Sequence, residues 1–399
     1  MLSGKNILLG VTGGIAAYKT AILVRLLKKS GANVQVVMTP DAKEFVTPLT
    51  LSTLSDNPVH SEFSDKETGE WENHVELGLW ADLFIIAPAT ANTIAKMANG
   101  ICDNFLMATY LSAKCPVYVC PAMDLDMYKH ETTTENLKTL AANNNIIIDA
   151  KEGELASGLI GKGRMEEPEA IVEFVNIHLK KGLKLEGKTV LITAGPTYEQ
   201  IDPVRFIGNN SSGKMGYELA ERAIKLGADV ILISGPTKLA LKSTSIKKID
   251  VLSAGEMYDA VMDNYKNADI IIMSAAVSDY TPEITESHKI KKKENDLNIS
   301  LKPTKDILLE LGKNKSDNQI LVGFALETDN EIENAKSKLQ RKKLDLIILN
   351  SLKDAGAGFG FDTNKVTIID KNNKIDNYEL KPKSEVAEDI FNKIISLLK

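Results

Sequence analysis

The chain has 399 residues, a net charge of −6 and 43% hydrophobic residues. At about 150 residues per domain, this length fits two or three domains, each with enough apolar residues for a core. The acidic balance argues against nonspecific nucleic-acid binding, and no apolar run approaches the roughly 20 residues that a membrane span needs. Three cysteines without disulfide or CxxC spacing, and a strand rather than a signal peptide at the N-terminus, predict a cytoplasmic protein with neither a nucleic-acid nor a membrane partner.

A strand-and-turn pattern occurs twice. Residues 3–14 and 186–195 each begin near a Gly-Lys pair, continue through a short apolar run and end in a turn with Thr and Gly. Two further pairs of segments echo each other: residues 31–38 with 227–234, and 81–87 with 268–274. Strand, crossover helix and strand, used twice, predict an α/β protein with two Rossmann-like domains and mainly parallel sheets. The predicted boundaries are a first domain at 1–180, a charged linker at 181–186 and a second domain at 187–399.

The turn after the first strand is rich in glycine and opens a helix at residues 10–19. Such a turn presents free backbone N–H groups and the positive end of a helix dipole, which suit a phosphate. The segment is not the G-x-G-x-x-G dinucleotide fingerprint, and no acidic residue stands after the second strand at the position where a ribose would need one. A mononucleotide phosphate therefore fits better than NAD, and a tight turn without a ligand is the alternative.

Small or polar side chains follow the next strands at the edge where α/β sheets bind ligands. Thr39 ends the second strand, and the small residues and hydroxyls of 87–96 would let a ring approach the backbone, although a capped helix explains them as well. His74 starts a helix, where spacing alone favours a capping or surface histidine. Residues 121–128 carry two methionines and two carboxylates at the end of a strand, which is unusual. The segment also fits an ordinary strand-to-helix turn. Residues 153–165 predict a glycine-rich flap.

Together these segments resemble the flavin-dependent cysteine decarboxylase family. The matching pieces, in the family's order, are residues 13–19, the His74 helix, 87–93, 121–123 and 161–165. The resemblance implies FMN, with His74 and Ser157 as catalytic residues and Met123 and Asp124 at the substrate. The implied FMN-binding residues are Gly13, Gly14, Ile15, Thr39, Ala89, Thr90 and Asn92.

Two positions depart from that family's pattern. Asp124 stands where the family has an asparagine that holds the substrate carboxylate, and Ser157 stands where coenzyme A pathway members have a proton-donating cysteine. Two like charges about 4 Å apart cost on the order of 4 kcal/mol at an effective dielectric of 20, so Asp124 is expected to be protonated or turned aside. A serine hydroxyl is a much weaker acid than a thiol, so a water or His74 would supply the final proton.

In the second half, residues 208–214 spell Gly-x-x-x-x-Gly-Lys, but this is not a P-loop. Met215 stands where Mg²⁺ needs a hydroxyl, and the preceding strand lies well upstream, so we expect a polar loop leading into a helix at 215–226. Asp279 follows a buried strand, and several lysines lie further on. Lysines are usually solvated on helix surfaces, but a strand-end carboxylate with lysines is also how a triphosphate with Mg²⁺ is held.

This half resembles phosphopantothenate–cysteine ligases over residues 187–370. The motifs are residues 192–197, 202–205, 209–216, 275–280, 289–292 and 323–328. The resemblance implies CTP as co-substrate, Asn209 and Lys289 as catalytic residues and Mg²⁺ at Asp279. The implied CTP-binding residues are Met273, Ser274, Ala275, Asp279, Lys289, Lys305, Asp306, Ile307, Leu308, Phe324, Lys338 and Lys342.

Decarboxylase followed by ligase is the arrangement of the bifunctional coenzyme A biosynthesis family. The resemblance implies CTP-dependent joining of 4′-phosphopantothenate to cysteine through an acyl-cytidylate. It further implies FMN-dependent decarboxylation of the product to 4′-phosphopantetheine, by a homo-oligomer. The alternatives are an NAD-dependent oxidoreductase, against which the missing fingerprint counts, and a flavin-binding regulatory protein, which would not need an intact ligase half.

Overall fold

The computed structural model describes residues 1–64, 68–292, 297–327, 329–351, 356, 358 and 360–398. Thr328, the last residue of one ligase motif, lies outside the described residues. The chain divides into two compact units, Met1–Leu179 and Lys180–Lys399. None of the helices in the described residues is both long and apolar enough to span a membrane.

The first unit is built on a six-stranded parallel sheet of order β3-β2-β1-β4-β5-β6, with an antiparallel hairpin, β7–β8, outside it. The strands are β1 (Asn6–Val11), β2 (Asn33–Met38), β3 (Val59–His60), β4 (Leu83–Ala89), β5 (Val117–Pro121), β6 (Ile146–Ile147), β7 (Lys151–Glu154) and β8 (Ile160–Arg164). The helices are α1 (Thr20–Lys29), α2 (Pro48–Ser55), α3 (His74–Trp80), α4 (Ala91–Asn99), α5 (Phe105–Ser112), α6 (Leu125–Lys129), α7 (Glu131–Ala142) and α8 (Pro168–Lys180), with 3₁₀ helices at Ile15–Lys19 and Pro40–Glu44.

The second unit is built on an eight-stranded sheet of order β13-β12-β9-β14-β17-β18-β20-β21. The strands are β9 (Thr189–Ala194), β10 (Tyr198–Gln200), β11 (Phe206–Gly208), β12 (Asp229–Ser234), β13 (Lys247–Asp250), β14 (Ile270–Met273), β15 (Tyr280–Pro282), β16 (Leu301–Pro303), β17 (Ile320–Glu327), β18 (Leu346–Ser351), β19 (Thr363–Asn364), β20 (Val366–Asp370), β21 (Ile375–Asn377) and β22 (Lys381–Pro382). The helices are α9 (Lys214–Lys225), α10 (Ala254–Asn264), α11 (Ile307–Asn314), α12 (Glu331–Arg341) and α13 (Lys383–Leu397), with a 3₁₀ helix at Tyr265–Asn267.

The strands β4 and β14, near the centres of the two sheets, are apolar along their whole length. Every residue of β4 is buried, as is every residue of β14. Such continuous burial is typical of parallel sheets, and it places the polar residues at strand ends rather than along the strands. The predicted α/β class with mainly parallel sheets is therefore confirmed.

The second sheet differs from the first at one edge. Its strands run parallel from β13 to β18, but β20 and β21 then pair antiparallel. The repeated segments did not predict this extension, since they cover only the strands that the two halves share.

Candidate active sites

A cavity of about 960 Å³ opens at the carboxyl edge of the first sheet. The loops that follow β1, β2, β4 and β5 form its wall, together with the hairpin β7–β8 and the residues after it. Of the residues predicted to bind FMN or substrate, the following line it: Gly13, Gly14, Ile15, Thr39, Thr90, Asn92, Met123 and Asp124. The structure thus brings together side chains that are more than 100 residues apart in sequence.

The ends of β1 and β4 are joined by the hydroxyl of Thr12. This hydroxyl donates to the carbonyl of Pro88 at 2.7 Å and accepts from the backbone N–H of Thr90 at 3.1 Å. Thr90 in turn caps α4, because its hydroxyl accepts from the N–H of Thr93 at 3.4 Å. These bonds place the start of α4 beside the turn at Gly14, where an added Cβ would lie 3.3 Å from the Thr90 methyl group.

Thr39 gives the cavity wall a polar group to which a ligand can bond. Its side chain is buried, yet within the described residues its hydroxyl oxygen has no hydrogen-bond partner. A buried hydroxyl without a partner costs about 1–3 kcal/mol, which a ligand can recover by bonding to it. At Gly13 an added Cβ would lie 2.5 Å from the Cβ of Asp41, so the wall at this turn has no room for a larger residue. These features, with a cavity of mononucleotide size, fit FMN.

Charged residues that the sequence analysis did not single out also line the cavity. Lys19 is buried and bonds to the Met165 carbonyl and to Glu167, each at 3.1 Å. Lys96 pairs with Asp103 at 2.6 Å. Lys96 stands one helical turn after Asn92 on α4, and this i, i+4 spacing was a signal that could have identified it.

Three carboxylates of the cavity wall have no cationic partner within the described part of the chain. They are Asp41, Asp124 and Glu154. Asp124 is the N-cap of α6, and its Oδ1 accepts from the N–H of Leu125 at 2.6 Å. One of its oxygens is therefore engaged in capping, while the residue still lines the cavity. The expectation that Asp124 is protonated or turned aside stays a prediction.

Ser157 lies at the exposed tip of the hairpin β7–β8, and its oxygen accepts weakly from the N–H of Leu159 at 3.5 Å. Its neighbours Leu155 and Ala156 line the cavity, but Ser157 does not. No thiol takes its place among the lining residues. Burial raises the pKa of the Cys115 thiol to about 11 and raises that of Cys120 further, so neither is a ready proton donor at neutral pH.

His74 and Ala89 lie outside the cavity lining. Ala89 is fully buried at the end of β4. His74 is the first residue of α3, and its ring meets the edges or faces of Phe63, Trp71 and Phe105 at centroid distances of 5.9, 6.3 and 6.2 Å. Its Nδ1 is buried and has no hydrogen-bond partner in the part of the chain that the structure describes, and Asn73 rather than His74 caps the helix. The interpretation of His74 as a capping residue, which spacing alone favoured, is therefore wrong.

In the second unit, a group of predicted CTP-binding residues surrounds the end of β14. The hydroxyl of Ser274 donates to the Thr193 carbonyl at 2.5 Å, and the N–H of Ala275 donates to the Thr193 hydroxyl at 3.2 Å. The amide of Asn209 donates to the Ala276 carbonyl at 3.0 Å. The catalytic candidate Asn209 therefore lies directly against the segment that follows β14.

Strand β17 lies beside the end of β14, since Met273 pairs in register with Gly323. A group of charged residues lies next to this part of β17. Lys338 donates to the carbonyl of Phe324 at 2.8 Å, and Lys342 pairs with Asp306 at 2.9 Å. Burial lowers the pKa of Lys338, and the neighbouring Lys342 lowers it further, against the opposing effects of Glu327, Asp306 and Asp279.

Helix α11 has Ile307 and Leu308 in its first turn and Asp306 as its N-cap. Lys305, the residue before that cap, lies over the ring of Tyr258 at 4.3 Å. Lys289 is different, since it lies in an exposed stretch without regular secondary structure and its side chain has no hydrogen-bond or ionic partner within the described residues.

The described residues contain no group of three or more His, Cys, Asp or Glu side chains that could hold a metal ion. Asp279 is exposed and belongs to no such group in the described part of the chain. Mg²⁺ commonly binds through one or two carboxylates together with substrate phosphates, so a site at Asp279 would depend on a bound nucleotide.

Two family models together match almost the whole chain. A model described as Flavoprotein matches residues 1–180, and one described as DNA/pantothenate metabolism flavoprotein C-terminal domain matches residues 185–398. The first contains the cavity, and the second contains the strand-end and lysine groups.

Curated relatives match the chain over most of its length. A cysteine/cysteine sulfinic acid decarboxylase from an unidentified prokaryote is 57% identical, over 88% of this chain and 99% of that protein. The coenzyme A biosynthesis bifunctional protein CoaBC of Bacillus subtilis (strain 168) is 47% identical, over 100% of this chain and 98% of that protein. A crystal structure of the C-terminal domain of such a CoaBC protein is 42% identical, covers 54% of this chain and 98% of that chain, and has a TM-score of 0.47. The chain thus belongs to the family of bifunctional coenzyme A biosynthesis proteins.

Proposed function

We propose that this chain catalyses two steps of coenzyme A biosynthesis. Residues 187–399 join 4′-phosphopantothenate to cysteine with CTP, and residues 1–180 decarboxylate the resulting 4′-phosphopantothenoylcysteine with FMN. The observation that carries the proposal is the 47% identity to a bifunctional relative over the whole chain. The site geometry supports it, since each unit gathers polar residues at the carboxyl edge of its own sheet. Family membership sets aside the NAD-dependent and purely regulatory alternatives.

In the ligase unit, an unactivated carboxylate has no leaving group, so amide formation needs prior attack on the α-phosphate of CTP. Lys338 and Lys342 lie where they can neutralise the charge that develops on the phosphates. Asp279 would share a Mg²⁺ ion with those phosphates. Asn209 can hydrogen-bond the acyl centre when the amine of cysteine displaces CMP, and Lys289 completes the set of catalytic residues.

In the decarboxylase unit, bound FMN supplies an electron sink for the cysteine moiety. Thr39 donates or accepts one hydrogen bond to the cofactor, and the Gly13–Gly14 turn gives its phosphate close access to the backbone. His74 is proposed to move protons near the reacting carbons, because imidazole exchanges protons near neutral pH. Met123 and Asp124 lie at the substrate.

His74 lies outside the cavity of its own unit, which fits a homo-oligomer. Large apolar side chains beside it and in the cavity wall are exposed: Trp71 is 60% exposed and Ile15 62%. Such a surface is typical of contacts between copies. A second copy could therefore receive His74. Light scattering of the purified protein in the cytoplasmic pH range would measure the number of copies.

The proposal is tested by assaying the two reactions separately in matched variants. Purified protein should be yellow with noncovalent FMN and should release pyrophosphate from CTP in the presence of phosphopantothenate and cysteine. His74→Asn should abolish CO₂ release and leave ligation near the wild-type rate. Lys289→Gln should have the opposite effect. ATP in place of CTP gives the nucleotide control.

Three results would contradict the assignment. If the protein remains colourless after incubation with FMN, the decarboxylase assignment is ruled out. If the wild-type protein releases no pyrophosphate, the ligase assignment is ruled out. Loss of ligation in folded His74→Asn would show that the two reactions do not have separate sites.

A second candidate activity for the first unit is decarboxylation of free cysteine or cysteine sulfinic acid. The 57% identical relative carries that name. Asp124 and Glu154 favour it, because both carboxylates line the cavity without a cationic partner in the described residues. A free amino acid brings an α-ammonium group to such carboxylates, whereas the nitrogen of phosphopantothenoylcysteine is a neutral amide. An ionic hydrogen bond of this kind is stronger than a neutral one.

The two substrates are distinguished by kcat/KM measured on each with the same enzyme. If free cysteine is a substrate, Asp124→Asn should lower its kcat/KM about tenfold and leave phosphopantothenoylcysteine unchanged or improved, since a lost charge-assisted bond costs about 1.4 kcal/mol or more. Asp126→Asn is the matched control, because Asp126 lies on the same helix but does not line the cavity. Equal losses on both substrates would argue against cysteine as a second substrate.

A further inference from the structure

The contacts that Lys289 itself makes do not hold its side chain in one position. It is exposed, it lies in neither helix nor strand, and its ammonium group has no partner within the described residues. A catalytic side chain must be held close to its productive geometry, since a misplacement of about 1 Å can cost about 100-fold in rate. The backbone beside Lys289 must therefore be fixed by other residues.

Asp202 fixes that backbone from a distant part of the chain. It lies in the turn between β10 and β11, and its side chain is 0% exposed. Its Oδ1 accepts from the N–H groups of Val204 and Arg205, each at 2.8 Å, which closes the turn. Its Oδ2 accepts from the N–H of Ile290 at 3.1 Å, so one carboxylate joins the turn to the residue that follows Lys289.

Arg205 holds the same residue from its other side. Its guanidinium donates to the carbonyl of Ile290 at 2.9 Å and lies 3.6 Å from Oδ2 of Asp202. Both backbone groups of Ile290 are therefore bound by this pair. Upstream, the N–H of Glu286 donates to the Ile201 carbonyl at 3.0 Å, so the segment is attached to the same turn at two places.

The carboxylate of Asp202 stays charged in this position. Burial raises its pKa, but the backbone N–H groups of Val204, Ile290 and Arg205 and the Arg205 guanidinium outweigh burial and hold the pKa below its ordinary value. A charged acceptor makes stronger hydrogen bonds than a neutral one, which suits a residue that joins two loops.

The same hairpin also leads to the other catalytic candidate. β11 runs from this turn to Gly208, and Asn209 follows directly. Since Asn209 bonds to Ala276 at the end of β14, the hairpin is attached to the strand-end group at one end and to the Lys289 segment at the other.

We propose that Asp202 is a positioning residue for ligation, which acts by holding the peptide of Ile290 and thereby the side chain of Lys289 at the nucleotide site. The inference rests on the proposed ligase function and on the role of Lys289 in it. Asp202 has no contact with substrate in this arrangement, and its effect on the reaction passes through Lys289.

A double-mutant cycle on the full chain tests this route. Asp202→Asn keeps the size of the side chain, but an amide turned toward Ile290 cannot accept from its N–H. The variant should lower kcat for pyrophosphate release about 10- to 100-fold. The same substitution is then measured in the Lys289→Gln background, over long reaction times. There it should change the rate less than about twofold, because residues that act as one unit are not additive.

Asp345→Asn is the matched structural control. Asp345 is also a buried carboxylate that accepts from a backbone N–H, that of Leu321, but it does not touch the Lys289 segment. Any loss that it causes should be the same factor with Lys289 or Gln at position 289. Decarboxylation and FMN content should not change in either aspartate variant.

The cycle has clear contrary outcomes. If Asp202→Asn ligates at the wild-type rate, or lowers the rate by the same factor in both backgrounds, Asp202 is structural and the inference is overturned. If Lys289→Gln ligates at the full wild-type rate, the inference is also overturned. Because the wild type still ligates in that case, this result is distinct from a failure of the ligase assignment. If Asp202→Asn does not fold, Arg205→Gln, at the more exposed partner, replaces it in the cycle with the same expectations.

Discussion

The two units begin with the same strand and turn, but what lies against that turn differs between them. In the first unit the turn after β1, at Gly13 and Gly14, opens into a cavity. In the second unit the turn after β9 is covered by the chain itself. The N–H of Ala276 donates to the Gly195 carbonyl at 2.9 Å, and a Cβ at Gly235 would lie only 1.7 Å from the Pro196 carbonyl oxygen.

The difference shows that a repeated strand and turn specify a fold but not a site. In the cavity at the first turn, the hydroxyl of Thr39 has no hydrogen-bond partner within the described residues and can bond to a ligand. At the second turn, the Gly195 carbonyl already accepts from the chain, and the predicted CTP-binding residues Phe324 and Lys338 lie on β17 and α12. The following predictions change one residue at a time in one unit or the other.

The largest effect is expected for Gly235→Ala. Because the added methyl group would overlap the Pro196 carbonyl, the backbone must shift, at a cost of about 3 kcal/mol in the free energy of unfolding. Both tryptophans, Trp71 and Trp80, belong to the first unit. In urea unfolding, circular dichroism should therefore show an earlier transition, while tryptophan fluorescence should not.

Gly255→Ala is the control for that prediction. Its nearest neighbour would be the Ser253 hydroxyl at 3.8 Å, and alanine favours the helix α10 in which it lies. This variant should be as stable as the wild type or more so. Unchanged stability in Gly235→Ala would mean that the second turn is not closed by its own backbone.

Gly14→Ala should affect the first unit through its ligand rather than its fold. The added Cβ would lie 3.3 Å from the Thr90 methyl group, which a small shift relieves, but it would narrow the cavity wall. We expect less than about 1 kcal/mol of destabilisation and about tenfold weaker FMN binding, as measured by fluorescence titration of the apoprotein. Gly153→Ala, with its nearest contact at 3.9 Å and no place in the cavity lining, should bind FMN normally.

Thr39→Val should separate the stability of the apoprotein from its affinity for the cofactor. The substitution removes a buried hydroxyl that has no partner and keeps its shape, so the apoprotein should gain about 1 kcal/mol. FMN should bind more weakly, because the hydroxyl is lost as a partner. An apoprotein that becomes less stable would show that Thr39 is already satisfied without a ligand.

The smallest effect is expected from acid on the second unit. Burial raises the pKa of Asp345, but bonds from Lys315, the Leu321 N–H and Lys371 outweigh burial and lower it overall. A carboxylate with a lowered folded pKa adds stability above its unfolded pKa of about 3.9 and loses it as the pH falls through the folded value. Asp345→Asn should therefore flatten the decline in stability below about pH 4.

Local patterns predicted much of this molecule. Apolar runs of strand length located the central strands, and a helix was expected at 215–226 where α9 runs Lys214–Lys225. The lysines at 338 and 342 lie one turn apart, so their common face was readable from the sequence. The prediction that residues 208–214 form a loop rather than a P-loop also agrees with β11 ending at Gly208.

Contacts between distant segments could not be predicted in the same way. Asp202 and Ile290 are 88 positions apart, and no periodicity relates them. The orphan hydroxyl of Thr39 follows from which loops meet around it, and the placement of His74 among aromatic rings follows from packing of α3 near Phe105. The roles of the site residues were expected from family resemblance, and they stay predictions.

The hairpin β7–β8 is fastened along most of its length but not at its tip. Gly163 accepts from the Met123 N–H at 3.0 Å, and Asp149 receives bonds from both Lys162 and Tyr128. Within the described residues, the hydrogen bonds of tip residues 155–159 stay inside the tip. Because its hydrogen bonds stay within the tip, the tip can move as a loop, on the order of nanoseconds to microseconds, while the strands of the hairpin stay attached. Such motion is far shorter than the roughly 0.1 s that one turnover takes at about 10 per second.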